Sequence, residues 1–284
     1  MVTELGDIHD VEHVESVRRS LAIDPYYIRR LRYSLLRQGH SDADAISRLP
    51  SEVRDDFASR VHLHPLRLAE QHASNIDGST KRLFETRAGG RLESVILATP
   101  TGRVSLCLSS QVGCRAGCQF CATATMPTVV NLSPGEILDQ LVQANQLLHQ
   151  QGRKVHNMVF MGMGEPLHNE AAVTMALETL IGDGGFNFSP QKISLSSVGV
   201  PDAMLRVASR FPKLKMALSL HSADQRVRER LIPLGRRYPL PELRATMEKI
   251  TLDNETRKLN RAREQHAKTI ISDQDLEAAE YAFD

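Results

Sequence analysis

From residue 133 to about 252 the chain alternates short apolar runs with stretches of helical spacing, and no other feature restricts the fold as much. Ser133-Pro134-Gly135-Glu136 is a capping box with proline at the first helical position. It opens a helix carrying Ile137, Leu138, Leu141, Val142 and Leu148 on one side. The run 156–162 reads as an apolar strand followed by a helix over 170–181. Runs 192–197 and 215–220 read as further strands, followed by helices over 202–210, 223–231 and 241–252. Strand–helix units in series predict a parallel sheet with right-handed crossovers, either barrel-like or open. Upstream, 83–85, 92–98 and 104–109 are rich in β-formers, with Ala-Gly-Gly and Thr-Gly as turns between them. Residues 10–70 read as short helices, one over 26–37 opened by Pro25 and one over about 52–61.

The chemistry concentrates where the β segment meets the alternation. Cys114, Cys118 and Cys121 form a C-x3-C-x2-C triplet. Three thiols this close are a poor disulfide framework, but they can hold an iron–sulfur cluster. In a [4Fe–4S] cluster, three cysteines leave one iron open to a small molecule. A structural zinc site with Cys107 as fourth ligand is the alternative. Zinc sites more often use two separated pairs, so the spacing favours iron and sulfur.

Other polar motifs fall at predicted strand ends: Gly162-Met163-Gly164-Glu165-Pro166, Ser196-Ser197, and Ser219-Leu220-His221. In parallel α/β folds ligand chemistry gathers at the C-terminal ends of strands. Singly each has a plain reading: a turn, a helix cap, a core histidine. The segment 26–37 carries Arg29, Arg30, Arg32 and Arg37 with Tyr26, Tyr27 and Tyr33. Such a surface can grip RNA phosphates and bases, or be an ordinary solvated face.

Bulk properties add limits. The net charge is +1, so RNA binding has to come from local patches. All four cysteines lie between 107 and 121, which fits a reducing cytoplasm. The acidic start lacks the apolar core of a signal peptide, and no run reaches transmembrane length, so no membrane partner is expected.

The motifs together resemble the RlmN/Cfr family of radical S-adenosylmethionine (SAM) RNA methyltransferases. The matching stretches are Leu106-Cys107-Leu108-Ser109-Ser110-Gln111-Val112-Gly113-Cys114, the cysteine loop with Phe120, Met161-Gly162-Met163-Gly164-Glu165-Pro166-Leu167, Ala217-Leu218-Ser219-Leu220-His221 and Arg230-Leu231-Ile232-Pro233. The resemblance implies an α/β fold containing a partial parallel (β/α) barrel of radical-SAM type over 76–252, incomplete at its C-terminal end. A helical, RNA-binding-like unit over 1–75 would precede it, and a charged, helical tail over 253–284 would follow. It implies that Cys114, Cys118 and Cys121 ligate a [4Fe–4S] cluster. Gly164, Glu165, Ser196, Ser219, Leu220 and His221 would line the SAM site. Glu93 matches the family's proton acceptor and Cys107 its resolving cysteine. The implied substrate is an adenine, at C2 in 23S rRNA and in tRNA, or at C8 as in the Cfr branch. The implied electron donor is a flavodoxin or ferredoxin. Adenine C2 is a poor nucleophile, which suits a radical route fed by a low-potential cluster.

The chain also departs from the family. The family's methyl-carrying cysteine lies near its C-terminus, and this sequence has no cysteine after Cys121. The expectation is a C-terminally shortened member impaired in methyl transfer. A non-catalytic RNA-binding protein with a structural metal cluster is the alternative.

Overall fold

The computed structural model describes residues 6–99, 102–267 and 272–281. The first five residues, the Pro100-Thr101 part of one predicted turn, and 268–271 and 282–284 of the charged tail lie outside the described residues.

The N-terminal segment is helical because each of its longer helices carries its own start signal. Helix α1 (Val11–Ser20) is capped by Asp10, which accepts the His13 amide at 2.9 Å. Helix α2 (Pro25–Arg32) is capped by Asp24 and opens on proline. It does not run on as one α-helix to Arg37. It widens into a π-helical turn, Tyr33–Gln38, which Gly39 ends in the left-handed conformation. Helices α3 (Asp42–Ile46) and α4 (Arg54–Ala58) are short. The predicted helix over 52–61 is therefore only a 3-10 turn plus α4, and Val61–His62 is instead strand β2, paired in parallel with β1 (Gly6–Asp7).

This segment shares its core with the rest of the chain. Ile8, Leu31, Leu35 and Phe57 belong to the same buried cluster as Phe84, Leu106 and Leu141. Polar contacts reinforce the join. The His64 ring sits between Asp139 Oδ1 at 2.5 Å and Asp42 Oδ1 at 2.8 Å, and the Leu66 amide donates to Asp139 Oδ2 at 3.0 Å.

Residues 67–73, within the expected helical unit over 1–75, instead form strand β3 (Arg67–Ala73) and join the main sheet. The strand is almost entirely exposed along one edge, so it carries none of the alternation that marks a half-buried strand. It pairs with β4 (Thr80–Glu85), which pairs with β5 (Arg91–Ala98), which pairs with β6 (Val104–Cys107), each pair antiparallel. After the short pair β7 (Gln111–Val112) and β8 (Val130–Asn131) come β9 (Asn157–Phe160), β10 (Ile193–Ser197) and β11 (Lys215–Leu218). The seven-stranded order is β11-β10-β9-β6-β5-β4-β3, with β6, β9, β10 and β11 mutually parallel. The sheet is thus mixed: the predicted parallel alternation forms one half and the upstream β segment the other. Among the described residues β11 is paired on one side only.

Helices α5 (Pro134–His149), α6 (Glu170–Ile181) and α7 (Pro201–Arg210) cross between the parallel strands. Their apolar residues cluster with Leu92, Leu106, Phe160 and Leu195, all of one pleat face. The alternate residues, Glu93, Val95, Cys107, Val159 and Ser196, are only partly covered. One face of the sheet is therefore sealed by helices and the other is open. Helix α8 (Gln225–Leu231) follows β11. Helix α9 (Leu240–Ala267) does not stop near 252 but runs on through the charged stretch, burying Leu259 and Ala262. Helix α10 (Asp273–Tyr281) lies beside it, with an Arg263–Glu280 ion pair at 2.9 Å. Among the described residues no helix is long and apolar enough to cross a membrane.

Candidate functional site

The cysteine loop is held at its base. Strands β7 and β8 pair on either side of it, and Gly113 turns the chain at φ 72°. A Cβ there would lie 2.2 Å from the Thr128 carbonyl oxygen, so the two ends of the loop can approach only at glycine. Inside the loop, Cys118 is buried with Ala116 and Ile232, and Cys114, Cys121, Val198, Leu231 and Leu234 pack around them. The Gln119 amide donates to the Leu231 carbonyl at 2.9 Å. The Arg230-Leu231-Ile232-Pro233 stretch is thus the floor of the cysteine loop.

The Gly-Met-Gly-Glu-Pro turn after β9 interlocks with the segment leading into that loop. The Met163 amide donates to Ser109 Oγ at 2.8 Å, the Ser110 amide to the Met163 carbonyl at 2.8 Å, and the Glu165 amide to Gln111 Oε1 at 2.9 Å. Gly164 adopts φ 97°, and a Cβ on it would lie 2.6 Å from Gln111 Cβ and 2.8 Å from its amide nitrogen. We therefore expect Gly164→Ala to destabilise the chain by about 2 kcal/mol or more, read by urea unfolding. A loss below about 0.5 kcal/mol would show that the interlock yields to a side chain.

Glu165 is 3% exposed. Its Oε1 accepts the Leu167 amide at 3.1 Å and its Oε2 the Val198 amide at 2.9 Å, so it ties the end of β9 to the end of β10. Burial pushes its carboxyl above the usual carboxylate range, against those two hydrogen bonds. Ser196 Oγ and Ser219 Oγ lie 2.8 Å apart at the ends of β10 and β11. His221 takes a left-handed backbone, φ 58°, rare for a residue with a side chain, and its ring lies 4.4 Å from that of Phe120 in the cysteine loop. Leu220 beside it is partly exposed. The cysteine loop, the glycine-glutamate turn and the serine–histidine ends therefore meet at one end of the parallel strands.

The thiols of this site share one electrostatic environment. Burial pushes Cys118 up to about 11, and the charges of Cys114, Cys121 and Glu165 add to the shift. Cys114 is also raised, first by burial and then by Glu165 and Cys121. Thiolates so arranged are costly unless a cationic centre binds among them. Among the described residues no three His, Cys, Asp or Glu side chains are gathered tightly enough for a single metal ion. The donor set, three cysteine thiols from one loop packed around Ala116 and Ile232, is of the kind that holds an iron–sulfur cluster.

Cys107 stands apart. It faces the open side of the sheet from β6, paired with Val95 and Val159, and burial raises its thiol while the Met161 backbone hydrogen-bonds to it. Its surroundings give no support to a fourth metal ligand. Glu93 lies on the same open face of β5, ion-paired to Lys81 at 3.1 Å. Its carbonyl accepts Ser109 Oγ at 2.5 Å, which places it behind the interlocked loops.

Sequence reasoning passed over the residues that hold this arrangement. Gln111 bonds Asn131 at 2.7 Å as well as the Glu165 amide, and Asn169 donates to the Ser110 and Leu132 carbonyls at 2.8 Å. Arg228 is fully buried in α8 beneath the cysteine loop. None carries a local signal: Arg228 lies in the charged run Gln225-Arg226-Val227-Arg228-Glu229-Arg230, and Gln111 and Asn169 have polar neighbours, so their burial shows only in the fold.

No protein-family model matches the chain. A probable RNA methyltransferase of Rhodopirellula baltica is 48% identical over 243 residues, covering 86% of this chain and 62% of its own length. The chain thus spans under two thirds of that relative. A probable dual-specificity RNA methyltransferase RlmN 2 of Protochlamydia amoebophila is 34% identical, over 85% of this chain and 68% of its own. Among solved structures, a radical SAM methyltransferase from Sphaerobacter thermophilus superposes with a TM-score of 0.78 at 35% identity, covering 86% of this chain and 72% of that one. With the strand-end motifs matched in order and the fold superposed, the chain belongs to the RlmN/Cfr family of radical-SAM RNA methyltransferases.

Proposed function

We propose that the chain binds a [4Fe–4S] cluster and SAM, cleaves SAM reductively and acts on an adenine in RNA. The observation that carries this reading is the meeting of the cysteine loop, the Gly164–Glu165 turn, the Ser196–Ser219 pair and His221 at one end of the parallel strands. Cys114, Cys118 and Cys121 would hold the cluster, which when bound supplies the electron for SAM cleavage at its open iron. The chain's own residues do the placing. Glu165 brings a buried negative charge beside the cysteines, suited to an ammonium, and its two amide bonds fix its rotamer. Ser196, Ser219, Leu220 and His221 offer hydroxyl, apolar and ring surface for the rest of SAM. Glu93 is proposed as proton acceptor, a role that requires the exposed Lys81 pair to open. The open face of the sheet is then the interior of a partial barrel.

RNA is the proposed substrate class, adenine C2 the proposed position and a flavodoxin or ferredoxin the proposed electron donor. The relatives bear the RlmN name, which supports C2 over C8. Tyr26, Arg29, Arg30, Tyr33, Arg37 and Arg48 border a cavity of about 640 Å³ beside the π-helical turn. These four arginines and two tyrosine rings give RNA phosphates and bases a place to bind.

We further propose that these 284 residues alone stop short of methyl transfer. All four cysteines lie in 107–121, so Cys107 has no distant cysteine to resolve. The test is anaerobic reconstitution with iron and sulfide, then incubation with SAM, reductant and RNA. The expected result is about four irons per chain and 5′-deoxyadenosine, without 2-methyladenosine. Zinc in place of iron, or no 5′-deoxyadenosine, would refute the cluster and SAM reading. Appearance of 2-methyladenosine would refute the second proposal alone.

A further inference from the structure

Arg228 is the largest side chain with no exposure to solvent. Its Nη2 donates to the Val198 carbonyl at 2.5 Å, while Nε and Nη1, also shielded from solvent, have no partner. Among the described residues it has no ion pair with a carboxylate. A buried guanidinium with unmade donors carries a large desolvation cost and calls for an acceptor. Val198, its one partner, packs against the cysteine-loop cluster of Ala116, Cys118 and Ile232. The Arg228 carbonyl accepts the Ile232 amide at 2.7 Å, and Leu231 in turn receives the Gln119 amide. Arg228 therefore lies directly behind the loop that presents the three thiols, where its charge acts on Cys118. The space at Nη1 is kept by Gly235: a Cβ there would come within 2.6 Å of that nitrogen. A purely structural pin to one carbonyl needs a single donor. It explains neither the two idle donors nor the glycine that leaves room for one of them.

We infer that Arg228 is a positioning residue for the cluster: its idle N–H groups donate to sulfur at the Cys118 corner, and its charge favours the reduced state. The inference rests on the cluster reading above. One-electron reduction, [4Fe–4S]2+ to [4Fe–4S]1+, adds negative charge beside a fixed cation in a water-poor pocket. Hydrogen bonds to sulfur and nearby net charge are what set such potentials. Arg228 thus makes the cluster easier to reduce.

The test is an anaerobic titration of the reconstituted full chain with titanium(III) citrate, which gives up one electron per cluster and becomes titanium(IV). Reduced cluster is read by electron paramagnetic resonance, without SAM or RNA. At the wild-type midpoint, Arg228→Met is expected to show a reduced-to-oxidised ratio at least tenfold lower, a downward shift of about 59 mV. Arg228→Lys should recover most of it, because the charge is kept. An Arg228→Met midpoint equal to wild type, at equal iron content, overturns the inference. Should Arg228→Met not fold, Gly235→Ala answers the same question by pushing the guanidinium aside. It should lower the midpoint in the same direction, and an unchanged midpoint overturns the inference. A wild-type chain that takes up no iron is recognised before any titration and overturns the cluster reading itself.

Discussion

Cys118→Ala should lower iron uptake from about four atoms per chain to background and abolish 5′-deoxyadenosine formation. Cys118 is the most buried of the three loop thiols and packs directly on Ile232, so a replacement ligand cannot reach its corner from solvent. Cys107→Ala should leave iron content unchanged, because its thiol faces the open side of the sheet beside the Met161 backbone. The pair of variants separates two metal chemistries. Loss of metal in both would restore the four-cysteine zinc site. Loss in Cys118→Ala alone, with wild-type iron in Cys107→Ala, is the result the structure predicts. Colorimetric iron analysis and the cluster's visible absorption read the first quantity, and chromatography of the nucleoside products reads the second.

Removing His64 should produce the largest loss of stability among polar substitutions. Burial by itself would lower its pKa, but hydrogen bonds to Asp139 and Asp42 and their charges outweigh burial and push it up to about 10. The ring is 20% exposed and Asp139 not at all, so the pair is poorly screened. His64→Leu leaves the Asp139 carboxylate buried without its cation, although the Leu66 amide and Gln143 still donate to it. A cost of about 3 kcal/mol follows, at the low end for one partner removed from a buried pair. The sign of the pH dependence is fixed. A folded-state pKa above the unfolded value of about 6.5 stabilises fully below pH 6.5 and progressively less as pH rises toward 10. Wild-type stability should therefore fall between pH 6.5 and 9.5 in urea unfolding, and the variant should lack that part of the slope. Equal slopes in the two chains would assign the pH dependence to other groups.

His64 also joins two segments that look separate along the sequence. The helix after Pro25 was readable from that proline, a local signal, and the caps Asp10 and Asp24 that the structure adds are local as well. The fusion of this segment with the main core was not readable, because the contacts joining His64 to Asp139 and Leu35 to the buried cluster span tens of residues. The strand β3 escaped notice for a different reason: an edge strand exposed along most of its length has no apolar period to read. The reverse error occurred at α9. Its sparse apolar residues suggested a break near 252, whereas backbone continuity and a few well-placed contacts, Leu259 and Ala262 among them, carry the helix to Ala267.

The candidate site divides along the same line. Cys114, Cys118 and Cys121 were legible as a candidate cluster site because the three thiols lie within one loop and so are close in sequence. The glycine-glutamate turn and the Ser219–His221 stretch were legible as polar residues at the ends of apolar strands. By itself the sequence determined the α/β alternation, the candidate cluster thiols and the membership of the strand-end motifs in one family. Only the tertiary structure decided what those motifs do to one another. It tied Glu165 to Val198, set Ser196 against Ser219, laid Phe120 on His221 and buried Arg228 behind the cysteines. The physical reason is that sequence spacing encodes contacts within a helix, strand or loop. Contacts between strand ends depend on sheet register and on which residues pack beneath them.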